Sequence, residues 1–541
     1  MSQKFPLIIA LAQINPKVGD VAGNAEMILD FATRAMQQQA DVVVFPELAL
    51  TGYPPEDLLF RRQFLQQIDQ AVADLHQSNP GLCMIFGAVS QHNKSLFNSA
   101  IVSQPGVALQ YYAKQRLPNY GVFDEQRYFE PGSSACVVAV KGSKLGITVC
   151  EDIWYPEPAR QAVEAGADII VNLNASPFHA SKTAERVATV RQRVAETGAP
   201  VCYVNMVGGQ DELVFDGHSF VIDAQGRKLS EAGGFESSLS MIRLDPDNTL
   251  KAITPSIDER EQMAQLYDAL VLATRDYVIK NGFRKVVLGL SGGIDSGLVL
   301  AIAVDALGAD AVHAIMMPYH YTSDISVSDA AEQAKLLGVE YSQIPIAAPV
   351  EAFMQVLEDE FKGLGKDVTE ENLQARSRGV ILMAVSNKKG AMLLTTGNKS
   401  EMSVGYATLY GDMAGGFAPL KDVSKLNVFA LAKYRNTISP AIPVRVIERP
   451  PSAELAPDQK DEDSLPPYEI LDPILEKYIE QDRSVEEIIA EGFDADTVKR
   501  VAWLVDVNEY KRRQSPPGVR VTRRAFGKER RYPITSGFRR D

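Results

Sequence analysis

The sequence predicts an α/β protein built from two domains. Apolar runs of strand length alternate with amphipathic segments of helical periodicity along most of the chain. With 541 residues, the chain is too long for one hydrophobic core. A stretch without periodicity, 245–258, separates the two halves and is predicted to be a linker. We therefore expect one domain at 1–245 and a second at 258–541.

The first half contains seven apolar runs that are predicted to be strands. They are residues 7–14, 41–45, 84–89, 107–114, 145–150, 168–174 and 201–207. The sequence Asp-Ala-Gln-Gly at 223–226 lies between two short apolar runs and predicts a hairpin at 220–229. This hairpin is expected near the end of the first domain.

The second half continues the same alternation. Helical periodicity over 257–280 leads into a predicted strand at 285–290, and further strands are expected at 312–317, 339–346 and 392–396. Strands that alternate with helices favour a doubly wound parallel sheet. Residues 448–467 are rich in Pro, Asp and Glu and are predicted to form an irregular surface segment, followed by short helices.

Composition narrows the classes of function. A net charge of -14 argues against a general nucleic-acid or membrane binder and favours small-molecule substrates. The apolar stretch at 6–14 is too short to span a bilayer. The four cysteines have neither metal-ligand spacing nor the density of a disulfide framework, which fits a reducing cytoplasm. The tail at 511–541 is basic, with eleven Lys or Arg against two acidic residues.

A glycine-rich loop follows the predicted strand 285–290. Its residues are Gly289, Leu290, Ser291, Gly292, Gly293, Ile294, Asp295 and Ser296, and an apolar helix is expected to follow at 298–307. Backbone amides at a helix N-terminus hold phosphate, paired glycines allow its close approach, and serine hydroxyls can donate to it. Asp295 offers a carboxylate for Mg²⁺. The pattern therefore predicts a site for pyrophosphate and magnesium.

The loop lacks the Lys-[Ser/Thr] ending of the Walker loop and the three-glycine dinucleotide fingerprint. It resembles the loop of the ATP-pyrophosphatase superfamily, which splits ATP to AMP and includes NAD, GMP and asparagine synthetases. This resemblance implies an adenine-nucleotide α-hydrolase-like fold for the second domain and ATP as a co-substrate with Mg²⁺.

Further motifs follow the loop. Asn372 and Arg376 lie on one face of a helix that starts at 371–378, and Thr396 and Glu401 lie in the segment 395–401 that follows a predicted strand. The other motifs are the segments 410–416, 419–425 and 451–455. In order and spacing these motifs together resemble the NAD synthetase family over about 258–515. The resemblance implies that Thr396 and Lys425 contact ATP and that Asp295 and Glu401 share Mg²⁺. It also implies that Asn372, Glu401 and Lys511 contact deamido-NAD, with Lys511 reaching its phosphates.

Three polar residues in the first half suggest a second chemistry if they meet in space. Glu47 follows the strand 41–45, where an apolar setting would raise the pKa of its carboxyl and suit a general base. Lys114 ends the run 107–114, and its ammonium can stabilise an oxyanion. Cys150 ends the strand 145–150, so its thiol is expected at an edge open to substrate.

These segments resemble the Glu-Lys-Cys set of the nitrilase family over about 5–245. The resemblance implies an α-β-β-α sandwich in which Cys150 attacks the carboxamide of glutamine, Glu47 transfers the proton and Lys114 holds the oxyanion. It also implies that Tyr120, Ser176 and Lys182 bind glutamine. Glu125 matches a second carboxylate of this family, but the sequence gives it no role.

Together, in this order, the two halves resemble the glutamine-dependent NAD synthetase family. The implied partners are glutamine, ATP and deamido-NAD, without nucleic acid or membrane, in a homo-oligomer with a passage for ammonia between subunits. Two alternatives stay open. One is another amidotransferase with the same loop, such as a GMP-synthetase-like enzyme, and the other is a nitrilase-type amidase fused to a non-catalytic nucleotide sensor.

Overall fold

The computed structural model describes residues 3–254, 260–452, 454–456 and 461–538. The chain folds into two units, Met1–Arg260 and Glu261–Asp541. Within the described ranges, no helix combines the length and the apolarity that crossing a membrane requires.

The first unit contains fifteen strands and four α-helices in its described part. The strands are β1 Leu7–Gln13, β2 Val42–Val44, β3 Cys83–His92, β4 Ser95–Ser103, β5 Gln110–Ala113, β6 Cys136–Val140, β7 Ser143–Val149, β8 Ile169–Asn174, β9 Val201–Asn205, β10 Val207–Gln210, β11 Leu213–Asp216, β12 Phe220–Ile222, β13 Lys228–Glu231, β14 Ser238–Leu244 and β15 Leu250–Ala252. The helices are α1 Val21–Gln37, α2 Arg62–Gln77, α3 Pro156–Glu164 and α4 Lys182–Thr197.

These elements form an α-β-β-α sandwich. One sheet has the strand order β15-β14-β1-β2-β3-β4-β5 and the other has the order β13-β12-β9-β8-β7-β6. Apolar side chains of both sheets, such as Ile9 and Ile147, pack together into one buried core. The outer faces are covered by α1 and α2 on the first sheet and by α3 and α4 on the second, each with its own apolar core. The predicted sandwich is confirmed.

All seven predicted runs of this unit contain a strand, but strands β4, β6, β10, β11, β14 and β15 were not predicted. Strand β4 was not predicted because its buried Asn98 and Ser99 interrupt the apolar run. The predicted linker at 245–258 contains strand β15, which pairs with β14 and buries Leu250 between the sheets. The remainder of that linker, from 255, lies outside the described residues. The hairpin predicted at 220–229 is present as β12 and β13.

The second unit contains four strands and twelve α-helices in its described part. The strands are β16 Val286–Gly289, β17 Val312–Met316, β18 Glu340–Gln343 and β19 Met392–Leu394. The helices are α5 Gln262–Lys280, α6 Ile294–Leu307, α7 Asp324–Leu337, α8 Ala347–Val356, α9 Val368–Lys389, α10 Lys399–Val404, α11 Lys425–Ile438, α12 Val444–Glu448, α13 Tyr468–Leu475, α14 Val485–Ala490, α15 Ala495–Val507 and α16 Glu509–Arg512.

The four strands form one parallel sheet in the order β18-β17-β16-β19. The chain adds β17 and β18 on one side of β16 and then returns to add β19 on the other side. The strand order therefore reverses between β16 and β19, and parallel sheets bind ligands at the carboxyl ends of the strands at such a point. Helices α13, α14 and α15 form a separate small core beside the sheet, around residues such as Leu471 and Val501.

The segment 448–467 was predicted to be irregular and exposed, and the structure confirms this for only part of it. Helix α12 extends to Glu448, and Asp461 and Leu465 are buried, with 3% and 6% of their surface exposed. The surface prediction is therefore wrong for these two side chains, because they pack inward rather than toward water. Residues 453 and 457–460 of this segment lie outside the described part of the chain.

Candidate active sites

The cysteine of the first unit occupies a strained turn. Strand β7 ends at Val149, and Cys150 begins a short 3₁₀ turn with a positive φ of 46°. Positive φ is costly for a residue with a side chain and is often found at functional sites. Only 5% of Cys150 is exposed, and it packs with the core between the sheets. The sequence predicted that this thiol lies at an edge open to substrate. That prediction is wrong, because the turn directs the thiol into the core.

A buried lysine lies between two carboxylates in this unit. Lys114 Nζ donates to Glu47 Oε1 at 2.7 Å and to Glu125 Oε1 at 2.8 Å. The side chains of Lys114 and Glu47 are fully buried, and 5% of the Glu125 side chain is exposed. Burial opposes the charge on Lys114, but the carboxylates of Glu125 and Glu47 raise its pKa well above the usual value. The ammonium therefore stays charged inside the protein.

Neighbouring groups fix both carboxylates in place. Glu47 accepts hydrogen bonds from Asn98 Nδ2 at 2.7 Å and from the backbone N–H of Ala175 at 3.0 Å. Glu125 accepts a hydrogen bond from Tyr53 Oη at 2.9 Å. Sequence reasoning missed Asn98 and Tyr53, and it gave Glu125 no role. The sequence offered one signal for these residues: a polar residue, Asn98, within a segment that is otherwise typical of a buried strand.

The electrostatics of this cluster suit proton transfer. Burial and the charge of Glu47 raise the pKa of the Cys150 thiol well above its usual value, so the thiol needs a base to become a nucleophile. Burial raises the pKa of Glu125 to about 7, although the Lys114 ammonium acts in the opposite direction. The structure thus places Glu47, Lys114 and Cys150 in one cluster, with Glu125 as a fourth member.

The three residues expected to bind glutamine differ in exposure. Tyr120 is 57% exposed, and its hydroxyl donates to Glu151 at 3.0 Å. Ser176 is buried and its Oγ accepts a hydrogen bond from Arg186 at 3.1 Å. Lys182 begins α4, with its Nζ 4.2 Å from the centre of the Trp154 ring.

Tyr120 and Lys182 both contact residues of the turn that begins at Cys150. Tyr120 donates to Glu151, which directly follows Cys150, and Lys182 lies over the ring of Trp154 at the end of the same turn. Burial lowers the pKa of Lys182. Burial and the nearby Glu151 carboxylate raise the pKa of Tyr120. These two candidate residues therefore lie near the cysteine turn.

A buried ion pair fixes the segment that carries Ser176. Arg186 Nη1 donates to Asp216 at 2.8 Å, and its Nη2 donates to the carbonyl of Ser176 at 2.6 Å. Both side chains of the pair are fully buried. Sequence reasoning missed this pair, because its members lie thirty residues apart and neither belongs to a recognisable motif.

In the second unit, the glycine-rich loop connects β16 to α6. Gly292 has a φ of 79°, and a Cβ at this position would lie 2.3 Å from the carbonyl oxygen of Ser326. Ser291 Oγ and Ser296 Oγ are 3.0 Å apart, and the Gly293 N–H donates to Ser291 Oγ at 3.2 Å. The close packing therefore requires glycine at 292, and the serine hydroxyls also shape the loop itself.

A second buried lysine lies between two carboxylates beside this loop. Lys425 Nζ donates to Asp295 Oδ2 at 2.7 Å and to Glu401 Oε1 at 3.0 Å. Asn398 caps α10 and donates to Asp295 Oδ1 at 2.7 Å, and sequence reasoning missed it. Burial raises the pKa of Glu401 to about 7, although Lys425 acts in the opposite direction. Two carboxylates that share one cation are suitable oxygen ligands for a divalent ion.

These residues line a cavity of about 270 Å³ at the carboxyl ends of the strands. The predicted site residues among those lining it are Gly289, Leu290, Ser291, Gly293, Ile294, Asp295, Ser296, Thr396, Glu401 and Lys425. The cavity is also lined by Arg378 from α9 and by Arg449, Glu454 and Asp461, which sequence reasoning did not single out. Gly292 supports the loop from behind, through its contact with Ser326.

Asn372 and Lys511 do not belong to the described lining of this cavity. Asn372 Oδ1 accepts a hydrogen bond from Thr408 Oγ1 at 2.9 Å. Lys511 Nζ donates to the carbonyls of Gly405 and Ala407 at 2.7 and 3.0 Å. Both side chains thus hold the segment 405–408, whose Tyr406 lines the cavity.

Comparison with known proteins assigns both halves of the chain. The family model for carbon-nitrogen hydrolase matches residues 8–253, and the model for NAD synthase matches residues 266–515. The class of the protein is therefore a carbon-nitrogen hydrolase domain joined to an NAD synthase domain.

Full-length relatives narrow this class to one family. The glutamine-dependent NAD(+) synthetase of Acinetobacter baylyi is 50% identical over 537 residues, 98% of this chain and 99% of that protein. The Aquifex aeolicus protein of the same name is 44% identical and is covered over its whole length. The structure of glutamine-dependent NAD+ synthetase from Acinetobacter baumannii, in complex with ADP, has a TM-score of 0.80 at 48% identity, covering 98% of this chain and 99% of that one. The chain belongs to the glutamine-dependent NAD(+) synthetase family.

The packing of Gly292 predicts the effect of adding one methyl group to the loop. In Gly292→Ala, the new Cβ must displace the backbone at Ser326, so we expect ATP, the ligand that the loop sequence predicts, to bind about tenfold more weakly or worse. Isothermal titration calorimetry measures the Kd of ATP for the variant and the wild type. Gly338→Ala is the control, because Gly338 also has a positive φ but has open space around it. Equal ATP affinity in the two variants would contradict the packing argument.

Proposed function

We propose that the protein synthesises NAD from deamido-NAD, with ATP as the activating substrate and glutamine as the source of nitrogen. The products are NAD, AMP, pyrophosphate and glutamate. One observation carries this proposal: a single chain contains two sites that are each built on a buried lysine between two carboxylates. One of these sites is beside a strained cysteine at Cys150, and the other is beside a phosphate loop at Ser291–Ser296.

The first site is proposed to release ammonia from glutamine. Cys150 attacks the carboxamide carbon, Glu47 takes the thiol proton, and the oxyanion that forms is stabilised by the Lys114 ammonium. Glu47 then gives the proton to the departing ammonia, which leaves a thioester on Cys150. Water hydrolyses the thioester to glutamate and restores the thiol. The hydrogen bonds from Asn98 and Ala175 support this role, because they hold the Glu47 carboxylate in one orientation.

Recognition of glutamine is assigned to Tyr120, Ser176 and Lys182. Glutamine has a carboxylate and an ammonium on its α-carbon. The hydroxyls of Tyr120 and Ser176 can donate hydrogen bonds to the carboxylate, and the Lys182 ammonium can pair with it. The burial of Ser176 and the contact of Lys182 with Trp154, in the turn that begins at Cys150, support this assignment. Glu125 is proposed to keep the Lys114 ammonium in place, since its Oε1 accepts a hydrogen bond from Lys114 Nζ at 2.8 Å.

The second site is proposed to activate deamido-NAD. The nicotinate carboxylate attacks the α-phosphorus of ATP, the bond to the β-phosphate breaks, and pyrophosphate leaves. Ammonia then attacks the acyl-adenylate, AMP leaves, and the amide of NAD remains. The backbone of residues 289–296, with Thr396 and Lys425, is assigned to ATP. Asn372, Glu401 and Lys511 are assigned to deamido-NAD, with Lys511 at its phosphates, and both Asn372 and Lys511 contact the segment 405–408 beside the cavity.

The donor set beside the loop fits Mg²⁺. Mg²⁺ prefers carboxylate oxygens and is commonly bound by one or two of them together with substrate phosphates. Asp295 and Glu401 would hold it, and within the described residues there is no cluster of three or more metal-binding side chains that would form a complete protein cage. When bound with ATP, the ion would neutralise phosphate charge. Lys425 orients both carboxylates for this task.

The alternatives are less well supported. A GMP-synthetase-like enzyme is not favoured, because relatives of 50% and 44% identity over nearly the whole chain are glutamine-dependent NAD(+) synthetases. A non-catalytic nucleotide sensor would not need two carboxylates and a lysine beside the phosphate loop. The homo-oligomer, the ammonia passage and the cytoplasmic location stay predictions.

Removing the thiol separates the two proposed half-reactions. In Cys150→Ala, NAD formation from glutamine should fall roughly a thousandfold or more, because the nucleophile is lost. NAD formation from ammonium salts should persist, since ammonia then reaches the second site without the first. Cys136→Ala is the control, because Cys136 is outside the cluster and only half-buried. Loss of the ammonium-dependent reaction in Cys150→Ala would contradict the division of labour.

Removing one carboxylate from the second site tests the activation step. In Asp295→Asn, NAD formation from glutamine and from ammonium should both fall by roughly a hundredfold, because a proposed ligand of Mg²⁺ is lost. The Mg²⁺ concentration for half-maximal activity should rise about tenfold. Steady-state release of AMP during magnesium titrations measures both. Asp310→Asn, at an exposed position of the same unit, is the control. An unchanged magnesium requirement in Asp295→Asn would refute the assignment.

A further inference from the structure

Three positively charged side chains line the cavity of the second unit, and they differ in their hydrogen-bond and ion-pair partners. Lys425 lies between the carboxylates of Asp295 and Glu401. Arg449 Nη2 donates to Ser326 Oγ at 2.8 Å and lies 3.6 Å from the Glu454 carboxylate. Arg378 instead donates from Nε to a neutral acceptor, the Met317 carbonyl, at 3.1 Å.

Among the described residues, no carboxylate forms an ion pair with the Arg378 guanidinium, although Glu454 acts on it at longer range. Glu454 is already engaged, because it accepts hydrogen bonds from Ser323 Oγ at 2.9 Å and from Ser326 Oγ at 2.8 Å. Burial lowers the pKa of Arg378 to about 10, so the side chain stays charged at neutral pH. A cation that is buried in this way is stabilised most strongly by a nearby anion.

Within the part of the chain that the structure describes, the guanidinium of Arg378 also has N–H donors without a hydrogen-bond acceptor. An arginine has five N–H groups, and the Nε–H is the one that bonds to Met317. The two terminal nitrogens carry the other four, in the planar arrangement that suits the oxygens of a phosphate. Arg378 lines the same cavity as the phosphate loop.

The position of Arg378 relative to the sheet indicates which anion it meets. Met317 directly follows β17, and the Leu290 N–H at the start of the phosphate loop donates to Ile315 of that strand at 2.9 Å. One turn further along α9, Leu382 approaches Gly289, where a Cβ would lie 3.3 Å from its methyl group. Arg378 thus lies beside the beginning of the loop assigned to ATP. Asn372, earlier on the same helix, bonds instead to Thr408.

We propose that Arg378 binds a phosphate group of ATP in this cavity. The inference rests on the proposed function, and it gives a role to a residue that lies in the motif 371–378 but was assigned none from the sequence. Lys425 is shared by two carboxylates, so its charge is largely compensated before ATP enters. Arg378 provides positive charge that no carboxylate of the described residues offsets at ion-pair distance. It therefore helps to hold the phosphates and the pyrophosphate that leaves.

The test begins with the wild-type protein, whose NAD formation from ATP, ammonium and deamido-NAD checks the proposed function by itself. Arg378→Met then removes the charge, and Arg378→Lys keeps it without the planar donors. We expect the Kd of ATP, measured by isothermal titration calorimetry, to rise about tenfold or more in Arg378→Met and by a smaller factor in Arg378→Lys. The Kd of deamido-NAD should change less than about threefold in either variant.

Arg483→Met is the matched control, because Arg483 pairs with the exposed Glu487 and does not belong to the described lining of the cavity. It should bind ATP like the wild type. Thermal unfolding reports whether each variant is folded. If Arg378→Met is unfolded, the ATP affinity of Arg378→Lys tests the proposal. Weaker deamido-NAD binding with unchanged ATP binding would assign the phosphate to the dinucleotide and overturn the proposal. Unchanged affinity for both ligands would show that Arg378 only packs against Met317, which also overturns it.

Discussion

A buried ammonium held between two carboxylates is the interaction on which both candidate sites depend. Lys114 has this position in the first unit and Lys425 in the second. Burying charges is costly, and removing one member of such a cluster leaves an unpaired charge that costs about 3–5 kcal/mol. One lysine does not neutralise two carboxylates. In each cluster, burial raises the pKa of one carboxyl, Glu125 or Glu401, to about 7. Each site therefore contains a group that can exchange a proton near neutral pH.

The neighbours of the two lysines make the chemistry different. In the first unit, the adjacent turn has a positive φ at Cys150, which directs a thiol into the cluster rather than toward solvent. In the second unit, the adjacent turn has a positive φ at Gly292, which brings backbone amides and a helix N-terminus to the cavity. Both turns follow the carboxyl end of a strand that has a parallel neighbour, β8 beside β7 and β17 beside β16. A turn with a positive φ at the end of a strand thus presents a nucleophile in one unit and a phosphate-binding loop in the other.

Much of this architecture could be predicted from the sequence, because strand periodicity and the phosphate loop are local signals. The convergence of Glu47, Lys114 and Cys150 came from the family resemblance rather than from the residues alone. Contacts such as Asn98 with Glu47, or Arg378 at the phosphate loop, could not be predicted. They join residues far apart in the chain, and only tertiary packing decides which side chains meet. The same limit explains why β15 was expected to be linker, since three residues give no periodicity.

The central claim is that one chain uses ATP cleavage and glutamine hydrolysis to make a single amide bond. The most direct test is to measure all four products in one reaction that contains ATP, Mg²⁺, glutamine and deamido-NAD. The account predicts equal amounts of NAD, AMP and pyrophosphate, with at least as much glutamate, and no amidated product when XMP replaces deamido-NAD. Glutamate without AMP and pyrophosphate, or GMP formed from XMP, would contradict it.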